Sequence, residues 1–229
     1  ERVYAGLIRG LDRGVGEVLK ALKDNGLEDN TIVIFTSDNG GAGYLGLPDL
    51  NQPYRGWKSS FFEGGIHVPY FLRWPDQIEP GTTVNEAVHH FDIYTTIANA
   101  AGASLPKDRK IDGVDLLPIV HGNTESIQHR ALFWRSGASQ SALIDGWKLN
   151  ISDPPGNAWL YDLANDPTEQ NNLAQSHPEK LRELQTALSQ HNKEQPSSAW
   201  PAMISVPINL DRDGSQAVQA NDEFIYWSN

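Results

Sequence analysis

The amino-acid sequence predicts an α/β portion up to about residue 125, followed by a smaller α+β part. Three features carry that prediction. An amphipathic helical pattern opens the chain, a β-branched apolar run follows it after a short turn, and beyond about residue 129 the texture changes to short strands separated by Gly, Pro, Asn and Asp. Helix, short loop and apolar strand in that order make half of an α/β unit. Closely spaced short strands suggest an antiparallel meander.

The helix rests on Val3, Leu7, Leu11, Val15, Val18 and Leu22, spaced by threes and fours and widened by Ile8 and Leu19, a stripe expected to pack on something larger. Asn25-Gly26 ends it, glycine being the usual residue just past a helix C-terminus. Thr31 to Thr36 is apolar on both faces and reads as a buried, parallel strand. Residues 37–66 are glycine-rich and aperiodic, and a loop of that length inside a domain is usually functional. Val68 to Trp74 returns to strand composition with Pro69 near its start. Phe91 to Ala101 reads as a helix stopping at Gly102, and a short apolar stretch follows around Leu116, Leu117 and Ile119. Ala131–Arg135, Ser141–Ile151 and Ala158–Leu163 are expected as antiparallel strands. Ser176 to Glu179 reads as a capping box opening a helix whose inward face is Leu181, Leu184 and Leu188. The expected organisation is 1–125, 126–195 and an irregular tail, 196–229.

Composition bounds the function. The 229 residues carry 18 Lys and Arg against 29 Asp and Glu, a net charge of −11. That argues against a general nucleic-acid binder, which needs a basic face, and means that an anionic substrate would be held by a local positive site. No cysteine is present, so disulfides and thiolate chemistry are excluded for these residues. No apolar run approaches the roughly eighteen residues that a membrane-spanning helix needs. The sequence opens inside a helical pattern at Glu1, so the natural N-terminus is expected upstream.

Chemistry concentrates between residues 37 and 69. Ser37-Asp38-Asn39-Gly40-Gly41 follows the apolar strand directly, and ligands of open α/β sheets bind beyond the carboxyl ends of strands. Asp38 and Asn39 offer a carboxylate and an amide oxygen, hard donors suited to Ca²⁺ or Mg²⁺; the same residues are equally ordinary turn chemistry. Arg55-Gly56-Trp57-Lys58, followed by Glu63-Gly64-Gly65-Ile66-His67-Val68-Pro69, sets two cations in a glycine-rich loop where they could hold a tetrahedral oxyanion, although surface loops commonly carry such residues with no ligand. Tyr44, Leu45, Tyr54 and Trp57 lie between the two blocks and could stack on a substrate ring or pack the loop down.

Taken together and in order, these segments resemble the sulfatase family. Asn30 to Gly41 is similar to that family's strand-to-metal segment, and Arg55-Gly56-x-Lys58 with Glu63-Gly64-Gly65-x-x-Val68-Pro69 to its second block. Asp92-Ile93-Tyr94-x-Thr96, Asp112 to Pro118, Trp147-Lys148-Leu149 and Leu160-Tyr161-Asp162-Leu163-x-x-Asp166-Pro167-x-Glu169 look like its later landmarks. The resemblance runs from about Tyr4 to about Leu188.

It implies a partial alkaline-phosphatase-like α/β sandwich, then a small C-terminal antiparallel sheet with a packed helix. It implies sulfate-ester hydrolysis by the full-length protein, with Asp38 and Asn39 as Ca²⁺ ligands and Lys58 as the lysine that contacts the sulfate. The substrate would be a sulfated small molecule or a sulfated carbohydrate, and the location periplasmic or secreted. The family's formylglycine arises from a Cys/Ser-x-Pro-x-Arg motif that does not occur in this sequence, so it is expected in an N-terminal part of the same protein, and these residues alone are expected to be inactive. His67 stands where the family often has Arg, and a structural part fits it at least as well as a catalytic one. His89 and His90 read as structural histidines. Two alternatives stay open: a phosphodiesterase or phosphonate monoester hydrolase on the same scaffold, and a non-catalytic relative that binds sulfated glycans.

Overall fold

The computed structural model describes residues 1–47, 49–123, 127, 130–153, 156–197, 199–200 and 202–228. Helix α1 spans Arg2–Asp24 and gives way at Gly26, whose φ of +66° suits a residue without Cβ. Strands β1, Val33–Thr36, and β2, Tyr70–Arg73, form a two-stranded sheet. Between them lie a 3₁₀ turn at Gly43–Leu45 and the single-turn helix α2, Glu63–Ile66. Then come α3, Asp92–Ala100; α4, Leu117–Val120; strands β3, Ala131–Ser136, β4, Ser139–Ile144, β5, Trp147–Ser152, and β6, Asn157–Asp162; helix α5, Pro178–Glu194; and strands β7, Ser205–Asn209, and β8, Phe224–Ser228. Among the described residues no helix is long and apolar enough to cross a membrane.

The chain forms two compact units, one of residues 1–34 and 71–128 and the other of 35–70 and 129–229. The expected boundary at 125/126 falls outside the described residues.

In the first unit, the Asp92 and Asp112–Pro118 segments interlock. The fully buried Asp92 carboxylate accepts the amides of His89 at 2.7 Å and Val114 at 3.0 Å. Thr95 donates to the Gly113 carbonyl at 3.0 Å and the Leu116 amide donates to Thr96 at 3.1 Å. A buried carboxylate needs such donors, which explains these residues without a ligand. The ring of His89 stacks on Phe91 at 3.9 Å. No residue of α1 is buried within these residues, and Val3, Leu7, Leu11 and Val18 are exposed.

In the second unit, β3-β4-β5-β6 is an antiparallel meander as expected. The stretch read as one strand, Ser141–Ile151, is two, because Asp145-Gly146 turns the chain with φ +49° and +80°. Both central residues of a type I′ hairpin need positive φ, and Asp-Gly supplies them. Alternation along the strands gives the sheet two buried faces. Ala142, Leu149 and Leu160 pack with Leu184 and Leu188 of α5, and Leu181 joins them. Trp159 and Tyr161 face the other way and pack with Phe62, Ile208, Leu210 and Ile225.

Three details differ from the sequence reading. Strand β1 is half-buried with Phe35 38% exposed, since a two-stranded ribbon cannot cover both of its faces. The α5 capping box does not form: His177 is the cap residue, Pro178 takes the first turn, and the Ser176 hydroxyl lies 2.9 Å from His177 Nδ1. Residues 196–229, read as irregular, hold the antiparallel pair β7-β8, whose apolar Ile208 and Ile225 complete the second core.

Candidate functional site

The second unit brings together the two blocks that the sequence holds apart. The Gly40 amide donates to the Gly65 carbonyl at 2.8 Å, the Lys58 amide to Gly41 at 3.1 Å, and the Gly64 amide to Arg55 at 2.7 Å. Asn51 straps the same turn, accepting the Gly41 amide at 2.7 Å and donating to the Gly41 carbonyl at 3.1 Å. A Cβ on Gly40 would stand 1.8 Å from the Gly64 carbonyl oxygen, and one on Gly65 2.1 Å from that of Ser60. Backbone lies directly on backbone here, which only glycine permits.

Asp38 is exposed, and Asn39 and Lys58 are half-buried. The Asn39 amide nitrogen donates to the Gly40 carbonyl at 3.0 Å, which leaves its oxygen as an acceptor. Among the described residues, the side chains of Asp38 and Lys58 make no hydrogen bond or ion pair. The donor set suits a hard cation in kind. Two oxygens supply only part of a calcium shell of about six to eight, and no cluster of three or more His, Asp or Glu suited to a metal occurs among the described residues.

Arg55, the second cation of that loop, is committed elsewhere. Its guanidinium reaches Asp211 at 2.6 Å, Glu223 at 2.5 Å and the Tyr161 hydroxyl at 2.9 Å. It therefore ties the loop to β6 and the β7-β8 segment. Trp57 adds a bond from Nε1 to the Asn209 carbonyl at 2.8 Å.

Beneath the loop lies a charge network that sequence reasoning did not anticipate. Lys148, fully buried as the second residue of β5, reaches Glu63 at 2.5 Å and Glu169 at 3.1 Å. Glu169, also fully buried, accepts the Glu63 amide at 2.5 Å and the Asn150 amide nitrogen at 3.0 Å. Glu63 holds His67 Nδ1 at 2.6 Å, and the His67 ring stacks on Tyr54 at 4.4 Å. Burial works against the Glu63 charge, but Lys148 and His67 outweigh it and bring the carboxyl down to about 2. Burial pushes Glu169 up, with Lys148 opposing and Glu63 adding. The burial of Lys148 follows from the strand register. Cross-strand partners of Lys148 and Asn150 are Tyr161 and Trp159, so the alternation that buries two aromatics also buries the lysine.

A family model named Sulfatase matches residues 2–103. The chain is 34% identical to steryl-sulfatase of Rattus norvegicus over 232 residues, covering 82% of this chain and 40% of that protein. It is 33% identical to a sulfatase of Formosa agariphila, covering 90% of this chain and 41% of that one. Among solved structures it resembles Ps i-CgsB in complex with k-i-k-neocarrahexaose, with TM-score 0.78 and 28% identity over 86% of this chain and 44% of that one. In sequence and in fold the chain is similar to members of the sulfatase family. It spans about two fifths of each of these relatives, and its fold is the corresponding part of the alkaline-phosphatase-like sulfatase fold. The Glu63-Gly64-Gly65 block, the Trp147-Lys148-Leu149 strand and the Asp166–Glu169 turn, each of which resembles a sulfatase landmark in sequence, meet in one buried network.

Proposed function

We propose that the full-length protein hydrolyses sulfate esters, with Asp38 and Asn39 as two of its Ca²⁺ ligands and Lys58 as a sulfate contact. One observation supports this above the others: the Lys58 amide is bound to Gly41 at 3.1 Å, so the lysine is rooted two residues from Asn39 while its ammonium and the Asp38 carboxylate are not spent on each other or on a described neighbour. Bound there, Ca²⁺ would polarise the sulfate oxygens as a Lewis acid. Asp38 and Asn39 hold and orient; Lys58 adds a positive charge where negative charge builds during ester cleavage. The ion and Lys58 together make the local positive well that a chain of net charge −11 needs to capture an anion. The nucleophile belongs to the formylglycine motif, which these residues do not contain.

The substrate class proposed is a sulfated carbohydrate. The complex of Ps i-CgsB with k-i-k-neocarrahexaose supports it, and so does one side chain. Trp57 and Tyr54 are packed down, whereas Tyr44 is 63% exposed with its ring set edge-on to Trp57 at 6.0 Å. An exposed ring held in that way offers a face to a sugar. Export to the periplasm or the cell exterior belongs to the same proposal.

The test is hydrolysis by the full-length protein of matched sulfate and phosphate esters, with and without a chelator. Sulfate-ester cleavage that the chelator abolishes supports the reading. Equal or faster cleavage of the phosphate esters replaces it with the phosphodiesterase alternative, and binding of sulfated glycans without cleavage replaces it with the non-catalytic one.

A further inference from the structure

The Lys148–Glu169 pair is an odd thing to bury. Desolvating an ammonium and a carboxylate costs several kcal/mol per ion, and apolar replacements of like volume are often as stable or more so. Glu169 also holds a φ of +60°, a left-handed conformation that a residue with a long side chain rarely adopts. Backbone strain of that kind points to a constraint other than stability.

The bonds show what is constrained. Helix α2 is a single turn, too short to stand by its own hydrogen bonds, and its two ends are held by side chains. At its start, the Glu63 amide donates to Glu169 at 2.5 Å. At its end, His67 is held through Nδ1 by Glu63, whose other oxygen is held by Lys148. Asn150 fixes Glu169 in turn. The product is a fixed Gly65 carbonyl, and that carbonyl carries the Gly40 amide at 2.8 Å. Because a Cβ on Gly40 would lie 1.8 Å from the Gly64 oxygen, the two backbones are already at contact. Any displacement of α2 passes to Gly40, the residue next to Asn39.

We propose that Lys148 and Glu169 are positioning residues that act through Glu63 and α2 to fix the backbone presenting Asp38 and Asn39. The inference rests on the reading of that pair as calcium ligands. It gives the C-terminal sheet a part in metal binding although none of its side chains is a ligand.

The test is calorimetric titration of Ca²⁺ into chelator-stripped full-length protein, paired with thermal melts. A variant combining Glu63→Gln, Lys148→Met and Glu169→Gln removes every charge at nearly constant volume. Its melting temperature should hold or rise, while Ca²⁺ affinity should fall by about 10- to 100-fold, the usual effect of losing groups that orient metal ligands. Should that variant not fold, Glu169→Gln alone serves. It leaves one oxygen and an NH₂ where two oxygens accept the Glu63 amide on one side and Asn150 and Lys148 on the other, so one side loses its acceptor, and it should weaken Ca²⁺ about tenfold. Folded variants that bind Ca²⁺ within twofold of wild type overturn the inference. Asp38→Ala separates the two levels. Lost Ca²⁺ binding in Asp38→Ala with unchanged binding in the network variants overturns the positioning role alone, whereas unchanged binding in Asp38→Ala overturns the metal reading and the inference with it.

Discussion

The amide of Gly40 donates to the carbonyl of Gly65 at 2.8 Å, and this bond joins the loop that carries Asp38 and Asn39 to helix α2, which follows Lys58. It forms because neither residue has a side chain. Gly40→Ala would drive a methyl group into the Gly64 carbonyl, where backbone on both sides cannot yield cheaply. The expected cost is about 1–3 kcal/mol in denaturant unfolding, as for other overpacked sites, accompanied by weaker Ca²⁺ binding. A variant of wild-type stability and Ca²⁺ affinity would mean the loops are not joined in this way.

The Glu63 carboxyl titrates from an ordinary value of 4.5 down to about 2 in the folded protein. The folded state therefore binds that proton more weakly than the unfolded chain. The stabilisation is fully present above about pH 4.5 and is lost as pH falls toward 2. It is on the order of 3 kcal/mol at neutral pH. Denaturant midpoints of wild type and Glu63→Gln should be well separated at pH 7 and converge as pH falls toward 2. A gap that stays constant across that range would contradict the ionised pairing.

His67 serves Glu63 and Tyr54, and Arg can serve the same carboxylate. His67→Arg should leave the melting temperature within a few degrees and kcat of the full-length protein nearly unchanged. His67→Ala should cost about 1 kcal/mol, one hydrogen bond's net worth. A large drop in kcat for His67→Arg at unchanged stability would give His67 a direct part in the chemistry.

Arg55 holds the β7-β8 segment through a fork to Asp211 and Glu223. Lysine is a point charge and cannot reproduce that fork. Arg55→Lys should lower stability by about 1.5–3 kcal/mol and speed amide exchange at 205–228 above that at 131–162. Uniform exchange in both regions would show that the hairpin is held by its apolar residues alone.

Much of this was legible in the sequence, for local reasons. The 3.6-residue period of α1 and the Leu181, Leu184, Leu188 face of α5 depend on spacing alone. Asp38, Asn39 and Lys58 stand out because their residue types follow a strand in a fixed order. The network under them was not legible, since Glu63, Lys148 and Glu169 are distant in sequence and charged residues in strands and turns ordinarily face water. The β7-β8 pair was missed because Pro207 and mixed composition hide its alternation, and its stability comes from Trp159, Tyr161 and Phe62, which belong to other segments. Arg55 looked like Lys58's equal, and only its bonds to residues more than 150 positions away reveal a different task.

Lys58 is proposed to act on the sulfate while lending little to the fold, and the decisive measurement is steady-state kinetics of Lys58→Ala in the full-length protein on a sulfate ester, paired with a thermal melt. Charge on the bridging oxygen grows mainly in the transition state, so kcat should fall more than KM rises. The expected loss is on the order of 10²–10³ in kcat, with the melting temperature nearly unchanged. An unchanged kcat, or activity lost only in step with unfolding, would contradict it.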